Sequence, residues 1–160
     1  MAREIERKFL LAPDGWRSRV TEVKRLKQFY LFAREDASLR VRIIDGKTAF
    51  LTLKTGTGID RGEFEYDIPL SDAEDMEPDR IGNVIEKTRH IVPLGARKIE
   101  IDIFAGALAG LEVAEIELES ADEAIDLPAF LGTEITGDPR YSNMRLALDG
   151  RPSDDDGRSA

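Results

Sequence analysis

The sequence has no cysteine and a single histidine. Lack of cysteine excludes disulfides, a thiolate nucleophile and sulfur-ligated metals, and it fits a cytoplasmic protein. One histidine cannot supply a multi-histidine metal site. His90 falls between Arg89 and Ile91, on the opposite face of its segment from Lys87 and Arg89, and reads as structural. No apolar run approaches the ~18 residues of a membrane span, and the N-terminus lacks the apolar core of a signal peptide, so a soluble, unexported protein is expected. Cations are in the minority, with 23 Lys plus Arg against 32 Asp plus Glu and a formal charge of −9. That balance argues against non-specific binding to nucleic acid or anionic membrane. An anionic small-molecule substrate would need a local basic pocket, which Lys8, Arg40, Arg42, Lys54, Arg61, Lys87 and Arg89 can provide.

What the chain does have is charge at alternate positions. Glu4, Glu6 and Lys8 share one face of the opening segment if it is a strand. The arrangement recurs at Arg40/Arg42, Thr52/Lys54, Arg61/Glu63/Glu65, Lys87/Arg89, Glu100/Asp102 and Glu115/Glu117/Glu119. The other face of several of these segments is apolar: Leu39, Val41 and Ile43; Leu51 and Leu53; Phe64, Tyr66 and Ile68; Ile99, Ile101 and Ile103. In one strand this pattern describes a solvated face above a core. Repeated through a sheet, it points to a site built from the whole sheet, with acidic and basic blocks that suit a divalent metal on one side and a polyanion on the other.

At 160 residues the chain is one domain by size. Strands are expected over 2–11, 24–33, 38–44, 48–55, 61–70, 87–92, 98–104 and 111–119. Asp45-Gly46 is a hairpin signal, and Gly56 to Asp60 forms a loop. Between and after them, Trp16 to Val20 reads as one or two helical turns, and Ser71 to Glu74 as a capping box opening a helix. Further helix is expected around Arg80 to Ile85, from Ala121 to Leu131 with a break at Pro128, and from Tyr141 to Leu148. Residues 1–148 then form the domain, and the acidic segment 149–160 reads as a disordered tail.

Eight antiparallel strands suggest a closed barrel. An apolar interior would make it a binder of greasy ligands. A charged interior would leave an apolar exterior for helices and a partner subunit to cover, and this arrangement is expected here. The fold class is thus α+β: an eight-stranded antiparallel closed β-barrel with a charged lumen and short flanking helices. The outward rows Ile99, Ile101 and Ile103 motivate a homodimer.

Taken in order, Glu4-x-Glu6-x-Lys8, Leu39-Arg-Val-Arg42, Leu51-Thr-Leu-Lys54, Glu63-Phe-Glu65, Lys87-Thr-Arg89, Ile101-Asp-Ile-Phe104 and Glu115-Ile-Glu117-Leu-Glu119 resemble the CYTH superfamily of triphosphate tunnel metalloenzymes. The resemblance runs from about Ala2 to Leu148, departing at Ile99, where many relatives carry an aromatic residue. It implies a tunnel with inward-facing charge and hydrolysis or cyclisation of triphosphate-bearing substrates with Mg²⁺ or Mn²⁺. Carried over motif by motif, Glu4, Glu6, Glu115 and Glu117 would hold metal, and Lys8, Arg40, Arg42, Lys54, Lys87 and Arg89 would contact phosphate. Asp102 and Glu119 would belong to an acidic wall, while Glu63 and Glu65 orient the cations. Inorganic triphosphatase ranks first, ahead of thiamine triphosphatase and class IV-type adenylate cyclase, with a polyphosphate-binding module as the non-enzymatic alternative. Cationic neighbours lower a lysine's pKa, so Lys87 is also the expected proton acceptor from attacking water.

Overall fold

A computed structural model describes residues 3–13 and 15–152. Nine strands run through it: β1 (Arg3–Leu11), β2 (Glu22–Arg34), β3 (Ala37–Ile44), β4 (Thr48–Thr55), β5 (Asp60–Ile68), β6 (Ile81–Leu94), β7 (Arg97–Phe104), β8 (Glu112–Glu117) and β9 (Leu131–Glu134). Hydrogen bonding orders them β5-β4-β3-β2-β6-β7-β8-β1-β9, and a further β5–β1 pairing closes eight of them into an antiparallel barrel. Closure uses the two halves of β1 differently. Arg3 to Ile5 pair with Gly62 to Asp60 of β5, whereas Phe9 and Leu11 pair with β9. The short β9 therefore extends the wall beyond the point where β5 begins.

Tight turns set the register. Asp45 and Gly46 both take positive φ at the centre of a tight turn that Lys47 N–H closes onto Ile44 O at 3.0 Å, and residues 37–44 then pair with 55–48 without a slip. Register shifts in β2 around Tyr30 break the strict alternation there. Tyr30 lies opposite Arg40 on the charged row, whereas Phe32 pairs with Leu39 and is 47 % exposed.

The outward apolar rows are covered by the chain itself in two places. Helix α1 (Leu70–Met76) lays Ala73 on Phe29, Val41, Ile43 and Ala49. On the opposite wall, Trp16 and Phe130 cover Val92, Ile99, Ile101 and Ile116. Ile99 and Ile101 are thus fully buried within one subunit and do not form the exposed row that motivated a dimer. Trp16 begins the expected turn, a 3₁₀ segment at Arg17–Arg19, and meets the His90 ring edge-on at 5.2 Å. The third cluster lies where helix α2 (Asn143–Asp149) docks Leu146 and Ala147 against Tyr30, Ile85 and Phe104.

Three local expectations give way. The helix forecast over 121–131 is irregular chain leading into β9, because Pro128 removes a donor and the backbone finds partners on β1 instead, with Ala12 N–H donating to Phe130 O at 2.8 Å. Residues 80–85 enter β6 rather than a helix. Only Glu77–Asp79 coils, around Pro78, and Gly82 takes φ +68°, which a helix does not use. Finally, α1 starts at Leu70 with Pro69 as its N-cap, so Ser71 makes no capping bond. Of the expected tail, Asp149 closes α2 and Arg151 donates to Ala109 O at 3.1 Å, while residues 153–160 lie outside the described residues.

Candidate active site

The charged rows of seven barrel strands, with Gln28 and Tyr30 of β2 opposite Arg42 and Arg40, face one lumen. On the acidic side, Glu6 lies opposite Glu117 and Lys8 opposite Glu115 in the β1–β8 register. Lys8 Nζ is 3.3 Å from Glu115 Oε2. Lys54 reaches across from β4, with Nζ 2.9 Å from Glu4 Oε2 and hydrogen bonded to Oε1 at 3.2 Å. Arg61 stands 3.6 Å from Glu4 and 3.8 Å from Glu6. Burial disfavours the charged form of each carboxylate, and neighbouring charges decide the outcome. For Glu4, the charge and hydrogen bond of Lys54 overcome burial, and its pKa is lowered. Glu6 has no such close cation; burial, Glu115 and Glu4 raise it to about 8 against the pull of Lys8. Glu115 is buried too, yet Lys8 and Arg89 hold it well below the usual carboxylate range.

The basic side is centred on Asp102. Arg89 grips that carboxylate through two hydrogen bonds of 2.8 Å and touches Glu115 and Glu100 at 3.4 Å. Lys87 Nζ, fully buried, lies 2.6 Å from Asp102 Oδ2, donates to Asn143 Oδ1 at 3.0 Å and sits 5.1 Å above the Phe104 ring. Asp102 resists its own burial through Arg89 and Lys87 and falls to about 2. For Lys87, burial acts in concert with Arg89 and Arg42 and outweighs the attraction of Asp102, lowering it to about 7.

Arg40 and Arg42 are different. Among the described residues neither forms an ion pair; Arg42 donates to Gln28 Oε1 at 2.9 Å and Arg40 to Thr52 Oγ1 at 3.4 Å. Arg40 Nε and Gln28 Nε2 are buried donors with no hydrogen-bond partner. Burial, Arg40 and Arg89 lower Arg42 to about 9. A guanidinium remains charged at any working pH, so the shift expresses excess positive charge that an anion would relieve. Buried donors without acceptors are rare in folded proteins and point to a ligand.

The lumen opens into a cavity of about 550 Å³ that reaches Glu6, Lys8 and Arg61 and is bordered by Ile59, Ile135 and Met144. A smaller recess of about 60 Å³ passes Lys54, Tyr30 and Asn143.

Most of the residues expected from sequence therefore converge, but not all. Glu63 stands 3.6 Å from Lys54, and Glu65 accepts from Thr52 at 3.1 Å, both on the lumen row of β5. Glu117 shares the row of Glu6 yet is exposed, at the rim. Glu119 lies beyond the end of β8, with its side chain 82 % exposed and paired to Arg97 at 3.4 Å. The alternating rows read from the sequence include Thr52 but not Gln28, Tyr30 or Asn143. Gln28 and Tyr30 alternate with one another as the charged residues do, so the period alone could have found these two. Nothing local marks Asn143.

Whether a divalent cation suits the acidic side can be judged from the donors. Among the described residues no three acidic or histidine side chains gather closely enough to hold one, because Lys8, Lys54 and Arg61 lie among the carboxylates. The chemistry fits nonetheless: the donors are hard oxygens, buried Glu4 Oε2 has only the ion pairs with Lys54 and Arg61 and no hydrogen bond, and Glu6 is crowded by two like-charged neighbours.

A sequence model of the CYTH domain matches residues 2–143. An inorganic triphosphatase of Acetivibrio thermocellus is 40 % identical over 148 residues, covering 91 % of this chain and 94 % of that protein. One from Nitrosomonas europaea is 40 % identical over 151 residues, covering 91 % and 97 %. A crystal structure of an inorganic triphosphatase superposes with a TM-score of 0.66 at 35 % identity, over 95 % of this chain and 99 % of that one.

Proposed function

The chain belongs to the CYTH domain family, and we propose that it hydrolyses inorganic triphosphate to diphosphate and phosphate within the lumen of its barrel. The observation that carries this reading is the set of buried donors without acceptors around Arg40, Arg42 and Gln28, within reach of Lys87 and Arg89. A chain of phosphate oxygens satisfies all of them at once. The lumen rows present charged and polar side chains, which favours a substrate that is little more than phosphate.

In this reading Arg40, Arg42 and Arg89 bind the phosphate chain from the basic side, and Lys8, Lys54 and Arg61 follow it toward the mouth. Phosphoryl transfer is mainly positioning and neutralisation of oxygens that gain charge, so these cations supply much of the rate. Glu4, Glu6 and Glu115, with Glu117 at the rim, would hold Mg²⁺ or Mn²⁺. The cation supplies charge neutralisation at the phosphates and orientation of water. Asp102 keeps Lys87 and Arg89 in place; Glu63 and Glu65 do the same for Lys54 and Thr52. Lys87, with its pKa brought to about 7, takes a proton from water as the water oxygen bonds to phosphorus and the bridging P–O bond breaks. That proton then leaves with the products.

One observation favours a second substrate. The mouth cavity has apolar walls at Ile59, Ile135 and Met144 and is large enough for an organic group, so thiamine triphosphate or a nucleoside triphosphate is the alternative. Phosphate release from tripolyphosphate, thiamine triphosphate, ATP and pyrophosphate, each with Mg²⁺ or Mn²⁺, separates the two.

The protein is placed in the cytoplasm, a reading supported by its lack of cysteine. Among the described residues no helix is long and apolar enough to cross a membrane. A homodimer is retained on different grounds from the isoleucine rows. Phe32, Leu53 and Tyr66 are exposed by 47 %, 37 % and 61 %, on strands β2, β4 and β5, and Leu39 pairs with both Phe32 and Leu53. This outer patch offers the apolar surface that a second copy would cover.

A further inference from the structure

Asn143 opens α2, and its side chain is held within the site from outside the barrel. Ser142 Oγ accepts the Arg145 backbone N–H at 3.1 Å and starts the helix. At the other end α2 lies so close to β6 that a Cβ on Gly82 would come within 2.6 Å of Ala147 O. Leu146 and Ala147 are buried against the barrel residues Tyr30, Ile85 and Phe104. Anchored at both ends, the helix fixes where the first side chain points. An ammonium has only donors, so it is the oxygen of the Asn143 amide that faces Lys87, at 3.0 Å. The charged groups acting on Lys87 are Asp102 at 2.6 Å, Arg89, Arg42 and Glu115. Asn143 is a neutral acceptor among them, and with Asp102 it gives the amine two fixed partners. Its side chain also borders the recess shared with Lys8, Lys54 and Arg61, where substrate would enter.

We propose that Asn143 is a positioning residue for triphosphate hydrolysis, its amide oxygen acting with the Asp102 carboxylate as the second of two acceptors that fix the direction of the Lys87 amine toward the attacking water. The inference rests on the triphosphatase reading and on Lys87 as proton acceptor. The test is Asn143→Leu in the full chain, which keeps the size and removes the acceptor, assayed with tripolyphosphate across pH alongside a thermal melt. Misdirecting a proton acceptor by a fraction of its reach should lower kcat about tenfold with KM within about twofold. The amide oxygen favours the ammonium form, so its loss lowers the Lys87 pKa and moves the acid limb of the rate profile to lower pH. If leucine weakens the docking of α2, seen as a fall in Tm, Asn143→Ala replaces it and the same kcat loss and limb shift are expected. An unchanged kcat, a raised KM alone or an unmoved limb overturns the proposal. Those results, obtained with an active wild-type protein, leave the triphosphatase reading standing; a wild-type protein that releases no phosphate overturns that reading first.

Discussion

Replacing Glu6 by glutamine should make the metal-free protein more stable, and the gain should grow with pH. Glu6 is crowded by Glu115 and Glu4 and its side chain is 14 % exposed; burial and these two carboxylates raise it from 4.5 to about 8. In the unfolded chain it titrates normally. The folded state therefore binds more protons between pH 4.5 and about 8, and stability falls as pH rises through that window. Each pKa unit corresponds to about 1.4 kcal/mol, which sets a ceiling on the order of 5 kcal/mol for holding Glu6 ionised above pH 8. Water at the mouth screens part of this, so about half the ceiling is a realistic gain for Glu6→Gln. At roughly 2–4 °C per kcal/mol for a domain of this size, that is on the order of 5–10 °C in Tm. Melts with chelator at pH 5 and pH 8 are the assay. A wide gap at pH 8, nearly closed at pH 5, is expected, with turnover lost in the variant when Mg²⁺ or Mn²⁺ is restored. An equal gap at both pH values, or a variant less stable at pH 8, would refute the electrostatic reasoning. Glu117→Gln, at the exposed rim, should show a much smaller stability change.

Lys87→Ala should lower kcat by about 10²–10⁴ with KM little changed and abolish the acid limb, since only the neutral amine, present above pH ~7, accepts a proton. Near-normal kcat with an elevated KM would make Lys87 a phosphate clamp. Sedimentation at micromolar concentration should give a dimer that Tyr66→Glu dissociates; a clean wild-type monomer would mean that the Phe32–Leu53–Tyr66 patch is left to solvent.

The barrel could be read from the sequence because its signal is a period of two repeated in register, and each strand states its own inward row. Lys8, Lys54 and Arg89 could therefore be placed together before their partners were known. Three kinds of feature do not carry that signal. Pro128 broke a helical composition and left irregular chain leading into β9, and Gly82 entered β6 through a conformation that no periodicity encodes. Ile99 and Ile101 looked exposed because their cover, Trp16 and Phe130, comes from irregular segments far away in the chain. Asn143 became part of the site only through the docking of α2, which depends on three-dimensional fit at Gly82 and Ala147. Glu119 illustrates the converse: it keeps the alternation of Glu115 and Glu117 but lies past the last ladder bond, where the period no longer constrains it.

The central claim is that the lumen is built for a bare triphosphate. Phosphate release by the purified protein from tripolyphosphate, compared with ATP, thiamine triphosphate and pyrophosphate at equal concentration with Mg²⁺ or Mn²⁺, tests it most directly. Tripolyphosphate turned over fastest, and all activity lost to chelator, is the predicted result. Conversion of ATP to cyclic AMP and diphosphate with no release of phosphate, or faster turnover of an organic triphosphate than of tripolyphosphate, would contradict it.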